Sequence, residues 1–185
     1  MTGEDDASRP VRTAAAARVV AMGSELRRLH DRIRDVLDDA LDAAREGSSD
    51  DGADVARLRA AAATITDDLV TRCRAFCALL TGHHEAEDAR LFPWLLRERP
   101  DLALVVERLE QDHAMIGTLL AGLADALERG AAGGVLVGHL EGLDAILESH
   151  VRYEERELVA VLDALGPATP GPALDDRFWR AGMRG

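Results

Sequence analysis

The sequence predicts an all-α fold, an up-down-up-down four-helix bundle with a short C-terminal extension. Three observations lead there. Aromatic residues make up only 3% of a chain that is 47% hydrophobic, so Ala and Leu dominate its apolar content and favour helices over strands. Apolar residues recur at intervals of three and four along four long segments, the period of one helical face. Short stretches rich in Gly, Ser, Asp or Pro join those segments, which makes successive helices neighbours. The 185 residues suffice for one domain with a real core and are too few for two. The expected divisions are a disordered N-terminus over residues 1–12, the bundle over 13–166 and a tail over 167–185.

The first stripe runs Val19, Met22, Leu26, His30, Ile33, Leu37 and Leu41, and its helix ends near Gly47. Residues 47–52 (GSSDDG) read as a loop, with Asp and Ser as N-caps for the next helix. The second stripe is the longest, from Leu58 through Ala62, Ile65, Leu69, Arg72, Phe76, Leu79, His83, Glu87 and Arg90 to Trp94. Pro93 lacks an N–H and disfavours helical backbone at Phe92, so that helix is expected to end or kink there. Asp101 reads as the N-cap of the third helix, with Leu102, Val106, Leu109, His113, Ile116, Leu120, Leu123 and Leu127 inward, and Gly130 as its stop. The fourth stripe is Leu136, Leu140, Leu143, Leu147, His150, Glu154, Leu158, Val161 and Leu165, closed by Gly166-Pro167. In the tail, Phe178 and Trp179 read as a cap on the bundle or a contact in a homodimer.

Composition narrows the function. A formal charge of -12 repels phosphate backbones and anionic lipid headgroups, so neither nucleic acid nor a membrane is expected as a partner. All 22 basic residues are arginine, which removes Schiff-base lysine chemistry and the phosphate-loop lysine. The start MTGEDDASRP lacks the basic opening and apolar run of a secretory signal, and no stretch reaches the roughly 18 apolar residues of a membrane span; a cytoplasmic location is expected. Cys73 and Cys77, one turn apart in a reducing compartment, read as small hydrophobes rather than a disulfide.

The chemistry lies in four histidines. His30, His83, His113 and His150 each sit at a position that the surrounding Leu, Ile and Val pattern assigns to the core, one on each helix. His83 and His150 are followed by Glu87 and Glu154, and a spacing of four puts both side chains on one helical face, about 6 Å apart along the axis. Burying four imidazoles and two carboxylates without partners would cost several kcal/mol per charged group. A cation removes that cost, and imidazole with carboxylate but no thiolate suits non-haem iron.

The stretch HHEAEDARLFPWL around His83 and the stretch HVRYEEREL around His150 resemble the two halves of the haemerythrin-type HHE cation-binding family, with His30 and His113 where that family places its lone histidines. The resemblance implies two iron ions, bridged by carboxylate and by oxo or hydroxo oxygen. His83 and His150 would be terminal ligands, Glu87 and Glu154 the bridges, and His30 and His113 would complete the set; bridging of this kind holds metals about 3.5 to 4 Å apart. Two departures stand out. Oxygen carriers of the family have a second histidine on the third helix four residues after the first, where this chain has Gly117. They also place the last carboxylate five residues after its histidine, whereas here Glu154 lies at four and Glu155 at five, and register favours Glu154. The missing imidazole suggests an open position beside one iron. The expected ligand is then a small diatomic molecule or peroxide, and the expected function is to react with or sense O2, peroxide or NO. The alternatives are a non-catalytic iron-responsive module, an O2-binding protein, and a metal-free helical scaffold.

Five further side chains lie near this pattern. His84 and Asp88 lie about 100° around the helix from His83 and Glu87, so they are expected to face solvent or a helix boundary. Tyr153 could approach the gap at Gly117. Arg90, on the ligand stripe, could orient a carboxylate or reach back to water. His139 lies about 16 Å from His150 along the axis, too far to share its site.

Overall fold

The computed structural model describes the backbone of residues 22–46 and 55–165, and the side chains of 22–46 and 67–165. The expectations for residues 1–12, Val19, the loop at 47–52 and the tail with Phe178 and Trp179 lie outside the described residues, as do the side chains of Leu58, Ala62 and Ile65. The described residues are all-helical. Helix α1 is Met22–Glu46, α2 Val55–Ala86, α3 Phe92–Glu98, α4 Ala103–Glu128 and α5 Gly133–Ala164. A π-helical turn, Glu87–Leu91, joins α2 to α3 without interruption, and a 3-10 turn, Pro100–Leu102, precedes α4.

The apolar period accounts for the packing. On α1 the buried residues Leu26, His30, Ile33, Leu37 and Leu41 form the expected stripe. α1 packs against α2 and α5, and α4 against α5 and α2. Two apolar clusters result. The first gathers Ile33, Leu37, Phe76, Leu80, Ile116, Leu123, Leu143 and Leu147; the second gathers Leu26, Leu91, Phe92, Leu109, Leu158 and Leu162. Each fully buried side chain of this size contributes roughly 1.5–3 kcal/mol. On every long helix the histidine falls between residues of one cluster and residues of the other, so the polar groups form a layer sealed on both sides.

Helix termini follow local chemistry, with one exception. Gly130 adopts φ 63°, Ala131 N–H donates to Ala126 O at 3.0 Å and Gly130 N–H to Leu127 O at 3.1 Å; this is the paired closure that needs a left-handed residue. Asp101 does not cap α4. Its carboxylate binds the Arg99 guanidinium at 2.6 and 2.9 Å, the 3-10 turn leaving Leu102 as the residue before the helix.

Pro93 neither ends nor breaks the long helix. The π-turn precedes it, with Phe92 N–H donating to Glu87 O five residues back, and the helix resumes with Pro93 in its first turn, where a missing N–H costs nothing. The turn also takes up one extra residue, which shifts the register. Leu91 is buried in place of Arg90, and Arg90 is exposed.

Candidate metal centre

Four helices converge at the polar layer. His30 comes from α1, His83 and His84 from α2, Glu87 from the π-turn, His113 from α4, and His150 and Glu154 from α5; all seven side chains are buried. The structure therefore brings together the six residues singled out in the sequence and adds His84.

The donors fall into two groups. His30, His83, Glu87 and Glu154 each offer an atom within 4.8 Å of the others', and so do His84, His113 and His150. The carboxylates link them. Glu87 Oε2 lies 3.4 Å from His83 Nε2 and 3.6 Å from His113 Nε2. Glu154 Oε2 lies 3.1 Å from His30 Nε2 and 3.7 Å from His150 Nε2. Each glutamate thus stands between an imidazole of one group and an imidazole of the other.

Acids outside the layer hold the histidines. His30 Nδ1–H donates to Glu155 at 2.9 Å and His113 Nδ1–H to Asp88 at 2.7 Å, while His150 Nδ1 lies 3.8 Å from Asp112. A hydrogen bond at Nδ1 fixes the tautomer and leaves Nε2 facing inward. The ambiguity between Glu154 and Glu155 resolves into a division of work: Glu154 is fully buried among the donors, and Glu155, 23% exposed, steadies His30 from outside.

Burial and neighbouring charge set the protonation of the metal-free site. Burial disfavours a charged His30, yet Glu154 and then Glu155 outweigh it and hold the imidazolium up to about 9. Burial also opposes ionised Glu154, and the His30 charge overcomes it, bringing the carboxyl to about 2. Burial, then the Glu154 charge, pushes Glu87 well above the usual carboxylate range. Burial, then neighbouring imidazoles, drives His83 and His84 well below the ordinary imidazole value, and burial brings His150 down to about 4. Neutral imidazoles are the form that binds metal. The protons on His30 and Glu87 stand where a cation would place its charge.

Unsatisfied atoms test the fit of a metal directly. Both oxygens of Glu87, Oε1 of Glu154 and Nε2 of His84, His113 and His150 are buried and lack a hydrogen-bond partner among the described residues, while Glu154 Oε2 has only the His30 imidazole at 3.1 Å. An unpaired buried polar group costs about 1–3 kcal/mol, more when charged. Six such atoms around one centre fit a cation site. The Hemerythrin HHE cation binding domain model matches residues 21–162.

The chain belongs to that family. No curated protein and no solved structure gives a significant match. As a haemerythrin-type HHE domain it is a cation-binding protein whose histidine and glutamate groups can hold metal. Among the described residues no helix is long and apolar enough to cross a membrane.

The remaining sequence candidates separate cleanly. His84 is a correction: it is 6% exposed, not solvent-facing, with its ring stacked on His113 at 3.9 Å and 10°. A layer of this width spans more of the helix surface than one residue covers, so adjacent residues both reach it. Asp88 is 42% exposed but turns its carboxylate to His113. Tyr153 does not fill the space at Gly117; its ring lies between Arg108 and Arg156, whose guanidinium carbons are 5.1 and 5.0 Å from the ring centroid. Cys73 is fully buried in the first apolar cluster, where burial and then Cys77 raise its thiol to about 11, so neither thiolate chemistry nor metal binding suits it. The sequence did carry a signal for the outer acids: an acid doublet, Glu87-Asp88 or Glu154-Glu155, follows His83 and His150 by one turn.

Proposed function

We propose that this protein holds two iron ions through His30, His83, Glu87, His113, His150 and Glu154, with Glu87 and Glu154 bridging, and that it reacts with or senses O2, peroxide or NO. The observation that carries the reading is the placement of each buried carboxylate between imidazoles of two different groups, 3.4 and 3.6 Å for Glu87 and 3.1 and 3.7 Å for Glu154. A donor set of imidazole and carboxylate without thiolate supports iron. Iron, when bound, supplies one-electron redox chemistry and an electrophilic centre.

The chain's own residues set the conditions for that chemistry. His30 and His113 present Nε2 inward because Glu155 and Asp88 hold Nδ1. The apolar clusters on either side exclude bulk water, and Phe92 stacks on His113 at 5.5 Å. None of the donors lines the groove of about 460 Å³ between α2 and α4, which supports a reactant of about two heavy atoms rather than an organic substrate. The charge of -12 supports a cytoplasmic protein with neither nucleic acid nor a membrane as partner. Residues of the second cluster precede the histidine on α1 and α4, follow it on α5, and follow His83 in the π-turn and α3 that continue α2, which supports the up-down-up-down reading of the bundle.

One observation favours a second reading, a non-catalytic iron-responsive module. Both oxygens of Glu87 and Oε1 of Glu154 lack hydrogen-bond partners, so metal and stability are coupled. Peroxide consumption per iron, measured beside the iron dependence of Tm on protein from iron-replete cells, separates the two. Turnover supports the first reading; a large Tm shift without turnover supports the second. Absence of iron, with no Tm shift on adding it, overturns both.

A further inference from the structure

We infer that His84 is a seventh donor to the metal centre, giving the His113 and His150 side a third imidazole and making the two ion positions chemically unlike. This rests on the two-iron reading above.

His84 is buried and unsatisfied. Its side chain is 6% exposed, its Nε2 is buried with no hydrogen-bond partner, and its ring lies 3.9 Å from His113 and 5.2 Å from His150 between centroids. A packing role alone would be served better by an apolar side chain, because the unpaired nitrogen costs about 1–3 kcal/mol. Helix α5 shows that alternative. There the residue following the ligand-stripe histidine is Val151, 1% exposed and part of the first apolar cluster.

Helix α4 supplies no competing imidazole. One turn past His113 it carries Gly117, where an added Cβ would meet no atom within 4 Å, and Tyr153 is engaged by Arg108 and Arg156. The nitrogen of His84 falls within 4.8 Å of those of His113 and His150. An imidazole missing from the third helix is thus replaced from the second.

The two positions then differ in donor count. One has His84, His113 and His150 together with the two glutamates; the other has His30 and His83 with the same two glutamates. The position with fewer protein donors is the one with room for an added ligand. The structure therefore assigns the open position to the His30 and His83 side, not to the surroundings of Gly117.

Cobalt(II) reconstitution tests this without relying on activity. Full-length wild type is expected to bind two ions. His84→Val, the Val151 counterpart, is expected to bind one normally and the other at least about 10-fold more weakly, with altered visible absorption of the second ion. His84→Gly should regain the second ion and its spectrum when free imidazole is added, a rescue that a packing role would not give; it also provides the reading if the Val variant does not fold. Wild-type affinity and spectrum in both variants would overturn the assignment of His84 alone. Wild type binding a single ion would overturn the two-iron reading, and this inference with it.

Discussion

Helix α2 with its π-turn and helix α5 present the same series: a histidine, then one turn later two acids. On both, the first acid enters the donor layer and the second holds an imidazole of another helix. Glu87 lies between His83 and His113, and Asp88 binds His113. Glu154 lies between His150 and His30, and Glu155 binds His30. The halves differ in three respects. The residue after the histidine is His84 in one and Val151 in the other. The backbone after the first is a π-turn, a rare element that concentrates at functional sites, while α5 continues as regular helix. Asp88 is 42% exposed, whereas Glu155 is braced by Arg27 at 3.9 Å and Arg34 at 3.8 Å. Under the two-ion proposal, the repeated acids would link the two positions, and the single exchange of histidine for valine would make them unequal.

The largest expected effect comes from removing what the halves share. Glu87→Leu with Glu154→Leu should abolish metal binding, and Glu87→Leu alone should raise the stability of the metal-free protein by roughly 1–4 kcal/mol, since a buried acid pushed toward its neutral form gives way to apolar packing while Glu154 keeps its pairing with His30. Metal content of the double variant and urea denaturation of the metal-free Glu87→Leu protein check the two limbs. Retained metal would contradict the role of the carboxylates as donors, and a less stable metal-free Glu87→Leu protein would contradict the claim that Glu87 is a liability without metal.

A smaller effect should come from the outer acids. Asp88→Asn and Glu155→Gln are each expected to weaken metal binding by about 10- to 100-fold while leaving the helical content unchanged. Nitrogen NMR of the imidazoles provides a second measure, because an amide oxygen accepts more weakly than a carboxylate and the amide can turn its NH2 to the ring instead, which loosens the Nδ1–H tautomer of His113 or His30. Equal losses would mean that the two halves are functionally equivalent; a greater loss at Glu155 would trace to its arginine braces. No change in affinity or tautomer at either position would remove their positioning role.

Acidity separates His30 and His150, histidines of the two donor groups, in the metal-free protein. His30 rises from 6.5 to about 9, held by Glu154 and Glu155 against the cost of burial. The folded state therefore binds its proton more tightly, so this contribution to stability is complete below pH 6.5 and is lost as pH rises through 9. Burial of Glu87, and the Glu154 charge beside it, act in the same direction. His150 falls from 6.5 to about 4 through burial, so the unfolded chain takes up the proton first and stability declines as pH falls from 6.5 toward 4. Metal-free stability should thus peak near pH 6.5, and His30→Gln should flatten the alkaline limb most, with a smaller effect on the acid limb because the His30 charge also lowers His150. Calorimetry between pH 4 and 9 that shows no alkaline decline in wild type would contradict the His30–Glu154 pair.

These comparisons show which features the sequence makes legible. The four stripes and the inward positions of His30, His83, His113 and His150 were readable because burial imposes the helical period on any segment that packs along one face. The π-turn was not, since one inserted residue leaves composition unchanged and moves Arg90 outward only through backbone geometry. His84 was misread for a related reason: a rotation of about 100° separates neighbours on a helix, but a layer holding seven donors is wider than one residue's arc. Asp101 illustrates a local competition, in which Arg99, two residues away, claims the carboxylate that would otherwise cap α4.

The smallest prediction concerns Gly117, the residue that first suggested a gap. It lies inside α4, is exposed, and an added Cβ would meet nothing within 4 Å. Glycine in a helix interior costs about 0.5–1 kcal/mol relative to alanine, so Gly117→Ala should stabilise the protein by that amount and leave metal content unchanged. If the gap at this position were the opening to the metal, the added methyl would instead alter metal affinity or the rate at which peroxide is consumed. Parallel denaturation and cobalt titration of the single variant decide between a glycine kept for access and one that merely leaves the third helix without its second imidazole.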